Sequence, residues 1–252
     1  MTPFDPFVAL SLPPDALVDR RVPKTLLIEN GTFAARDRRR IQEGIEELRW
    51  LAVLKPTTVG VAEYRDLDRD YLEIAVLKVD LRPSAGSERL VELIHRAVPY
   101  PVLLIAWQDG RPELSLAHKR RSLAEPDKTV IENEIVMARV CEDSANELIS
   151  SFRDALALAR QPRSTLHAVY QAWIDSVQAF HAATITGTFC LPATSTSAAE
   201  REAALREYQS LSAEIAKMRS SASKETQMSR RADMNIKLAN LRARRDSARA
   251  RL

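Results

Sequence analysis

Val102-Leu103-Leu104-Ile105-Ala106-Trp107-Gln108-Asp109-Gly110-Arg111-Pro112-Glu113-Leu114-Ser115-Leu116-Ala117-His118-Lys119 decides the fold. The first six residues form a continuous apolar run, which suits a strand covered on both faces. Asp109-Gly110 is the pair that tight hairpins favour, because both residues tolerate positive φ. Glu113 to Lys119 then reads as the return strand. Just upstream, Pro99-Tyr100-Pro101 stops a helix over Ser87 to Val98, whose buried stripe is Leu90, Leu93, Ile94 and Ala97. Before that, Tyr71 to Leu81 reads as an interior strand. Leu72, Ile74 and Val76 share one of its faces, and Ala75, Leu77 and Val79 share the other.

Further out, Pro3, Pro6, Pro13, Pro14 and Pro23 leave room only for short elements before residue 31, such as a helix at Pro14 to Val18. Thr32 is a plausible cap for a helix to about Leu54, with Ile41, Ile45, Leu48 and Ala52 spaced by three and four, and Lys55-Pro56 ends it. Thr57 to Ala62 reads as a strand. On the other side, Thr129 to Val140 reads as a strand, and Asp143 to Ala159 and Ser164 to Ala182 read as helices separated by Gln161-Pro162. The expected class is α+β, a mixed or antiparallel sheet with packed helices, followed by a C-terminal helical, coiled-coil region. Residues 1–186 would form the core with two trailing helices, 187–197 a linker, and 198–252 the helical segment.

From Ala198 to the end, 55 residues contain neither glycine nor proline. Tyr208, Leu211, Ile215, Met218 and Ala222 mark one apolar seam; Met234, Leu238, Leu241, Arg245, Ala248 and Leu252 mark a second. The two are out of phase across Ser220-Ser221-Ala222-Ser223, which predicts a stutter or a hairpin there. One unbroken helix would reach about 80 Å. Its stripe needs cover from its own first half, from the core, or from another subunit in an oligomer.

The net charge of +3 averages two unlike parts. Arg219 to Leu252 holds ten basic against three acidic residues, about +7, and leaves about −4 on the rest. A basic tail on a mildly acidic body attracts phosphate backbones or acidic protein surfaces. Arg230, Arg231, Arg242, Arg244 and Arg245 are its candidate contacts. A second basic signal, His118-Lys119-Arg120-Arg121 at a strand end, offers Lys119, Arg120 and Arg121 for a phosphate or as a charged edge guard. Arg36 and Arg38-Arg39-Arg40 near a helix start, where the dipole disfavours cations, suggest a partner surface. Trp50, Trp107 and Trp173 lie in apolar contexts and read as core residues.

Several chemistries are disfavoured. No run approaches 18 apolar residues, so no membrane span is expected, and the opening Met1-Thr-Pro-Phe-Asp-Pro lacks a signal-peptide pattern, so the expected location is cytoplasmic. Cys141 and Cys190 make no Cys-x-x-Cys pair and read as reduced core residues. Glycines at 31, 44, 60, 86, 110 and 187 are too scattered for a phosphate-cradling loop. His95, His118, His167 and His181 are not at metal-binding spacings and read as surface or capping residues, so neither a cofactor nor a metal is expected. A magnesium-dependent nuclease would have to use Glu46, Asp70, Glu73 and Lys78, without the usual Glu-x-Lys step on the strand.

Val22-Pro23-Lys24, Ile45-Glu46-Glu47-Leu48-Arg49-Trp50, Leu54-Lys55-Pro56-Thr57-Thr58, Tyr71-Leu72-Glu73-Ile74, Val98-Pro99-Tyr100-Pro101-Val102-Leu103-Leu104, Leu116-Ala117-His118-Lys119 and Lys224-Glu225-Thr226-Gln227-Met228-Ser229-Arg230-Arg231 with Asn235 share a further property. Together, over nearly the whole chain, they resemble a bacterial and archaeal domain-of-unknown-function family found in restriction and phage-defence gene clusters. The resemblance implies an accessory component beside helicases and DNA methyltransferases, with no catalytic residue to carry over. The leading expectation is a non-enzymatic adaptor of a DNA-processing or antiviral system, docking a partner protein or DNA through its basic C-terminal helices. The alternatives are the nuclease and a purely structural scaffold.

Overall fold

The computed structural model describes residues 4–125, 128–140 and 145–252. It divides into two compact units, one ending at His181 and one running from Ala182 to Leu252. The fold is α+β, built on a mixed six-stranded sheet.

In the first unit the elements are α1 (Pro6–Ala9), β1 (Leu17–Arg21), α2 (Lys24–Asn30), α3 (Ala35–Gly44), β2 (Ile45–Leu54), α4 (Pro56–Val59), β3 (Tyr64–Arg65) and β4 (Asp70–Tyr71). They continue with β5 (Ile74–Leu81), α5 (Ser87–Ala97), β6 (Val102–Gln108), β7 (Arg111–Arg121), β8 (Thr129–Arg139), α6 (Asn146–Leu156) and α7 (Leu166–Thr186). Short 3₁₀ turns cover Pro14–Ala16 and Leu158–Arg160. The sheet order is β1-β2-β5-β6-β7-β8, with β3 and β4 paired separately. Among the described residues, β5 and β6 run parallel, joined by the α5 crossover, and the other pairings are antiparallel. Asp109 and Gly110 both take positive φ, 52° and 74°, and turn β6 into β7.

Ile45, Leu48, Ala75, Leu77, Val79, Leu81, Val102, Leu104 and Ala106 join the α5 stripe and Ile41 of α3 in one core. On the other face Ile74, Val76, Leu103, Ile105, Leu114 and Leu116 are buried as well. There Tyr170 of α7 donates its hydroxyl to the Val102 carbonyl (2.7 Å) and accepts the Ala117 amide (2.9 Å). Cover on both faces is why β5 and β6 read as near-continuous apolar runs.

Four expectations change. The helix from Thr32 to Leu54 is two elements: α3 ends at Gly44 and β2 begins at Ile45. The pairing of β2 with β5 slips between Ile45 and Glu47 and again between Trp50 and Ala52. Each bulge resets the alternation of faces, so the buried residues Ile45, Leu48 and Ala52 fall at helix-like intervals within a strand. Thr57 to Ala62 is not a strand. Pro56 opens the short helix α4, the Lys55 amide bonds the Thr58 hydroxyl, and Gly60 ends the turn at φ 64°. Tyr71 to Leu81 is broken after Tyr71, leaving β4 and β5 as separate strands. Finally, β1 follows the 3₁₀ turn unannounced; all five of its residues are exposed, which leaves no alternation to read. Asp143, the expected start of α6, and Cys141 lie outside the described residues.

The second unit holds the end of α7 and two long helices, α8 (Ser195–Lys224) and α9 (Met228–Arg249). They form a hairpin that turns at 225–227, a few residues after the weak helix-forming serines. Leu211, Ile215, Ala222, Leu238 and Leu241 bury one another, with Met218 and Met234 packed alongside. The Thr194 hydroxyl accepts the Ser197 amide at 3.1 Å and caps α8. Cys190 is exposed and free, not a core residue.

Candidate functional site

On α9 the seam residues face α8, which leaves the cations outside. Arg230, Arg231, Arg242 and Arg244 are exposed, and among the described residues no carboxylate pairs with them. Arg245 differs. It is half-buried, bonds Asp246 at 2.8 Å and lies 5.9 Å over the Tyr208 ring. Arg251, just beyond α9, meets Glu207 of α8. Four of the five expected arginines are thus free to meet an anion.

The strand-end cluster does not survive as a unit, because consecutive residues of β7 point to opposite faces. Arg121 is tied to Asp70 at 2.7 Å. Arg120 is partly exposed and donates to the Arg121 carbonyl at 3.1 Å. Lys119 points inward and is only 3% exposed, so it is no surface ligand. Its ammonium donates to the carbonyls of His95 and of Val98 (3.1 Å), the last groups of α5. A buried cation there satisfies carbonyls that the helix itself leaves open. Near the start of α3, the cations are also largely matched: Arg39 to Glu43 at 2.7 Å, Arg40 to Asp37 at 3.5 Å, and Arg38 to the Phe33 carbonyl at 3.1 Å.

The nuclease residues are not brought together. Asp70 pairs with Arg121, Glu73 with Lys55 at 3.1 Å, Lys78 with Asp80 at 3.1 Å, and Glu46 is exposed on β2. Among the described residues no three His, Cys, Asp or Glu side chains gather at metal-binding range. No helix among them is long and apolar enough to cross a membrane.

Two features had no local signal. One is a cluster assembled from β3, β4, β7 and α7. The Tyr71 hydroxyl donates to Nδ1 of His118, whose Nε2 faces the Gln171 amide oxygen at 2.8 Å; Gln171 in turn donates to Asp175 at 2.9 Å. His167 stacks on His118 at 5.2 Å, and Tyr64 lies 4.8 Å from His167. Burial lowers the pKa of both histidines, so the rings are held neutral. Both nitrogens of His118 are engaged, which makes it a tie between strand and helix and not a free base. Beside it, Asp66 accepts the amides of Asp68 and Arg69, and chiefly the Asp68 amide holds its pKa at about 2. The second feature is a cavity of about 1300 Å³ over the α2 and α5 face, lined by Leu26, Trp50, Tyr100, Ile131, Ile135 and Met137. Trp50, expected in the core, stacks on Tyr100 at its wall with centroids 6.0 Å apart; Trp173 is fully buried as expected, and Trp107 only partly. His95 is likewise no surface residue: it is buried, its Nε2 lies 3.0 Å from the Ser115 hydroxyl, and burial lowers its pKa to about 3.

The family model of a domain of unknown function, DUF4391, matches residues 10–244. No curated protein and no solved structure matches the chain. With the match reaching from before β1 almost to the end of α9, the protein belongs to the DUF4391 family.

Proposed function

We propose that the protein is an adaptor held on nucleic acid by its α8–α9 hairpin, with the sheet unit as the part that meets other components. The observation that carries this reading is the exposed, carboxylate-free state of Arg231, Arg242 and Arg249 on a helix whose apolar seam is already covered by α8. Outside the seam α9 exposes mainly charge, with Met228 and Ile236 as separate apolar residues and no continuous apolar stripe, and such a surface suits a phosphate backbone. In the resemblance described above, those components are the helicases and DNA methyltransferases of restriction and defence systems. Of the carboxylates of the nuclease alternative, Asp70 and Glu73 are engaged in separate ion pairs and Glu46 is exposed on β2, so the reading assigns no catalysis to this chain.

The test is a titration of the full chain, and of a version lacking residues 198–252, against a duplex of about 30 base pairs at about 50 mM salt. The full chain binds with little base preference and the truncated one does not. Equal binding by both, or none by the full chain, contradicts the proposal.

A further inference from the structure

The two flanks of the hairpin differ in charge. At 3.6 residues per turn, residues seven apart lie on nearly one line of a helix. Arg230, Lys237, Arg244 and Arg251 therefore form one row beside the seam of α9, and Arg231, Arg242 and Arg249 form a row on the opposite flank. On α8, Glu200, Glu207 and Glu214 line one flank, and Arg219 lies on the other.

Contact between Arg251 and Glu207 fixes which flanks share an edge. Because the helices are antiparallel, seven residues back along α9 is seven forward along α8, so Arg244 falls opposite Glu214. That edge is a mixed row of Glu200, Glu207 and Glu214 facing Arg244, Arg251 and their neighbours. It favours closing the hairpin. By elimination, Arg219 of α8 joins Arg231, Arg242 and Arg249 of α9 on the other edge. The Arg245 guanidinium over Tyr208 lies on that same side of the seam. All four arginines are exposed, and among the described residues none has an ion pair. Asp246, the carboxylate that helical spacing places nearest, is held by Arg245 at 2.8 Å.

We infer that the hairpin grips a phosphodiester backbone with one edge only, formed by Arg219, Arg231, Arg242 and Arg249, while the opposite edge holds the two helices together. The inference rests on the nucleic-acid reading above and narrows it. From Arg231 to Arg249 the edge spans about 27 Å, the rise of roughly eight base pairs. Asn235 lies exposed along it and adds a neutral donor that phosphate and sugar oxygens accept. Along the edge the exposed apolar surface is that of Met228 at the start of α9, with Tyr208 beneath Arg245, too little for the apolar core that carries protein–protein affinity, which is why an acidic protein is the weaker match.

Two full-length variants separate an edge from bulk charge, each removing three cations: Arg231→Gln, Arg242→Gln, Arg249→Gln against Arg230→Gln, Lys237→Gln, Arg244→Gln. With a fluorescent duplex at about 50 mM salt, the first loses about 30-fold or more in affinity and the second less than about 3-fold. A companion Arg→Lys triple at positions 231, 242 and 249 keeps binding within about 5-fold, and equal helix content by circular dichroism shows that all variants fold. Equal losses in the two Gln triples overturn the edge and leave hairpin docking standing. Absence of binding by the unaltered chain overturns both. Polyglutamate competing as well as duplex per unit charge overturns the choice of nucleic acid.

Discussion

The Lys119 ammonium stands where the last carbonyls of α5 would otherwise be buried without donors. Replacing it by alanine leaves those acceptors unpaired beside a new void, so Lys119→Ala should cost about 2–3 kcal/mol in urea unfolding while duplex affinity is unchanged. Weakened binding at unaltered stability would instead return Lys119 to the surface role that its basic neighbours suggest. Burial pushes its pKa from 10.5 down to about 7. Between those values the unfolded chain keeps a proton that the fold has released, so stability rises with pH from about 7 to 10, and Lys119→Met flattens the rise. The histidines act on the acid side. His95, at about 3, and His118, His167 and His181 all titrate below their ordinary value. As pH falls through about 6.5 the unfolded chain takes up protons that the fold refuses, and the urea midpoint drops between pH 7.5 and 5. A midpoint that climbs over that interval would mean that these rings are not held neutral. None of this was legible in His118-Lys119-Arg120-Arg121, because four adjacent polar residues do not show which of them a strand turns inward.

Among the elements, β2 was misread for a reason that the pairing makes plain. Its two bulges space Ile45, Leu48 and Ala52 as a helix would, and composition does not distinguish the two. By contrast, β5, β6, β7 and α5 were legible because burial on both faces, one tight turn and one clean stripe each leave a strong local pattern. The junction of α3 with β2 depends on a close approach. A Cβ on Gly44 would lie 2.6 Å from Cδ1 of Leu90 in α5, so Gly44→Ala should cost about 1–3 kcal/mol by forcing the two helices apart, as thermal unfolding would report. In the hairpin, Leu241→Ala removes a buried seam residue and should lower the melting of α8 and α9 by about 2–3 kcal/mol. A seam variant that leaves the hairpin's stability intact would show that Leu241 is not packed as described.

At the scale of the whole molecule, the chain carries its excess positive charge on a unit separate from the sheet. The basic tail was legible as composition, and the break between two seams as a phase shift that left a stutter or a hairpin open. Which arginines stay free was not, since matching depends on the antiparallel register that Arg251 and Glu207 establish. The tyrosine and histidine cluster and the cavity beside Trp50 were equally out of reach, each being assembled from segments far apart in sequence. Deleting residues 198–252 should leave a soluble, folded remainder with the far-ultraviolet signature of the α+β unit, because that core closes within the residues up to His181. Precipitation of the remainder would show that the tail completes the core.

The most direct measurement is the dependence of duplex affinity on salt for the full chain, plotted as log K against log salt concentration between about 50 and 200 mM. Contact through the four arginines of one edge predicts a line of slope near −3.6, about −0.9 for each phosphate neutralised. A flat line would show that no phosphates are engaged and would contradict the account.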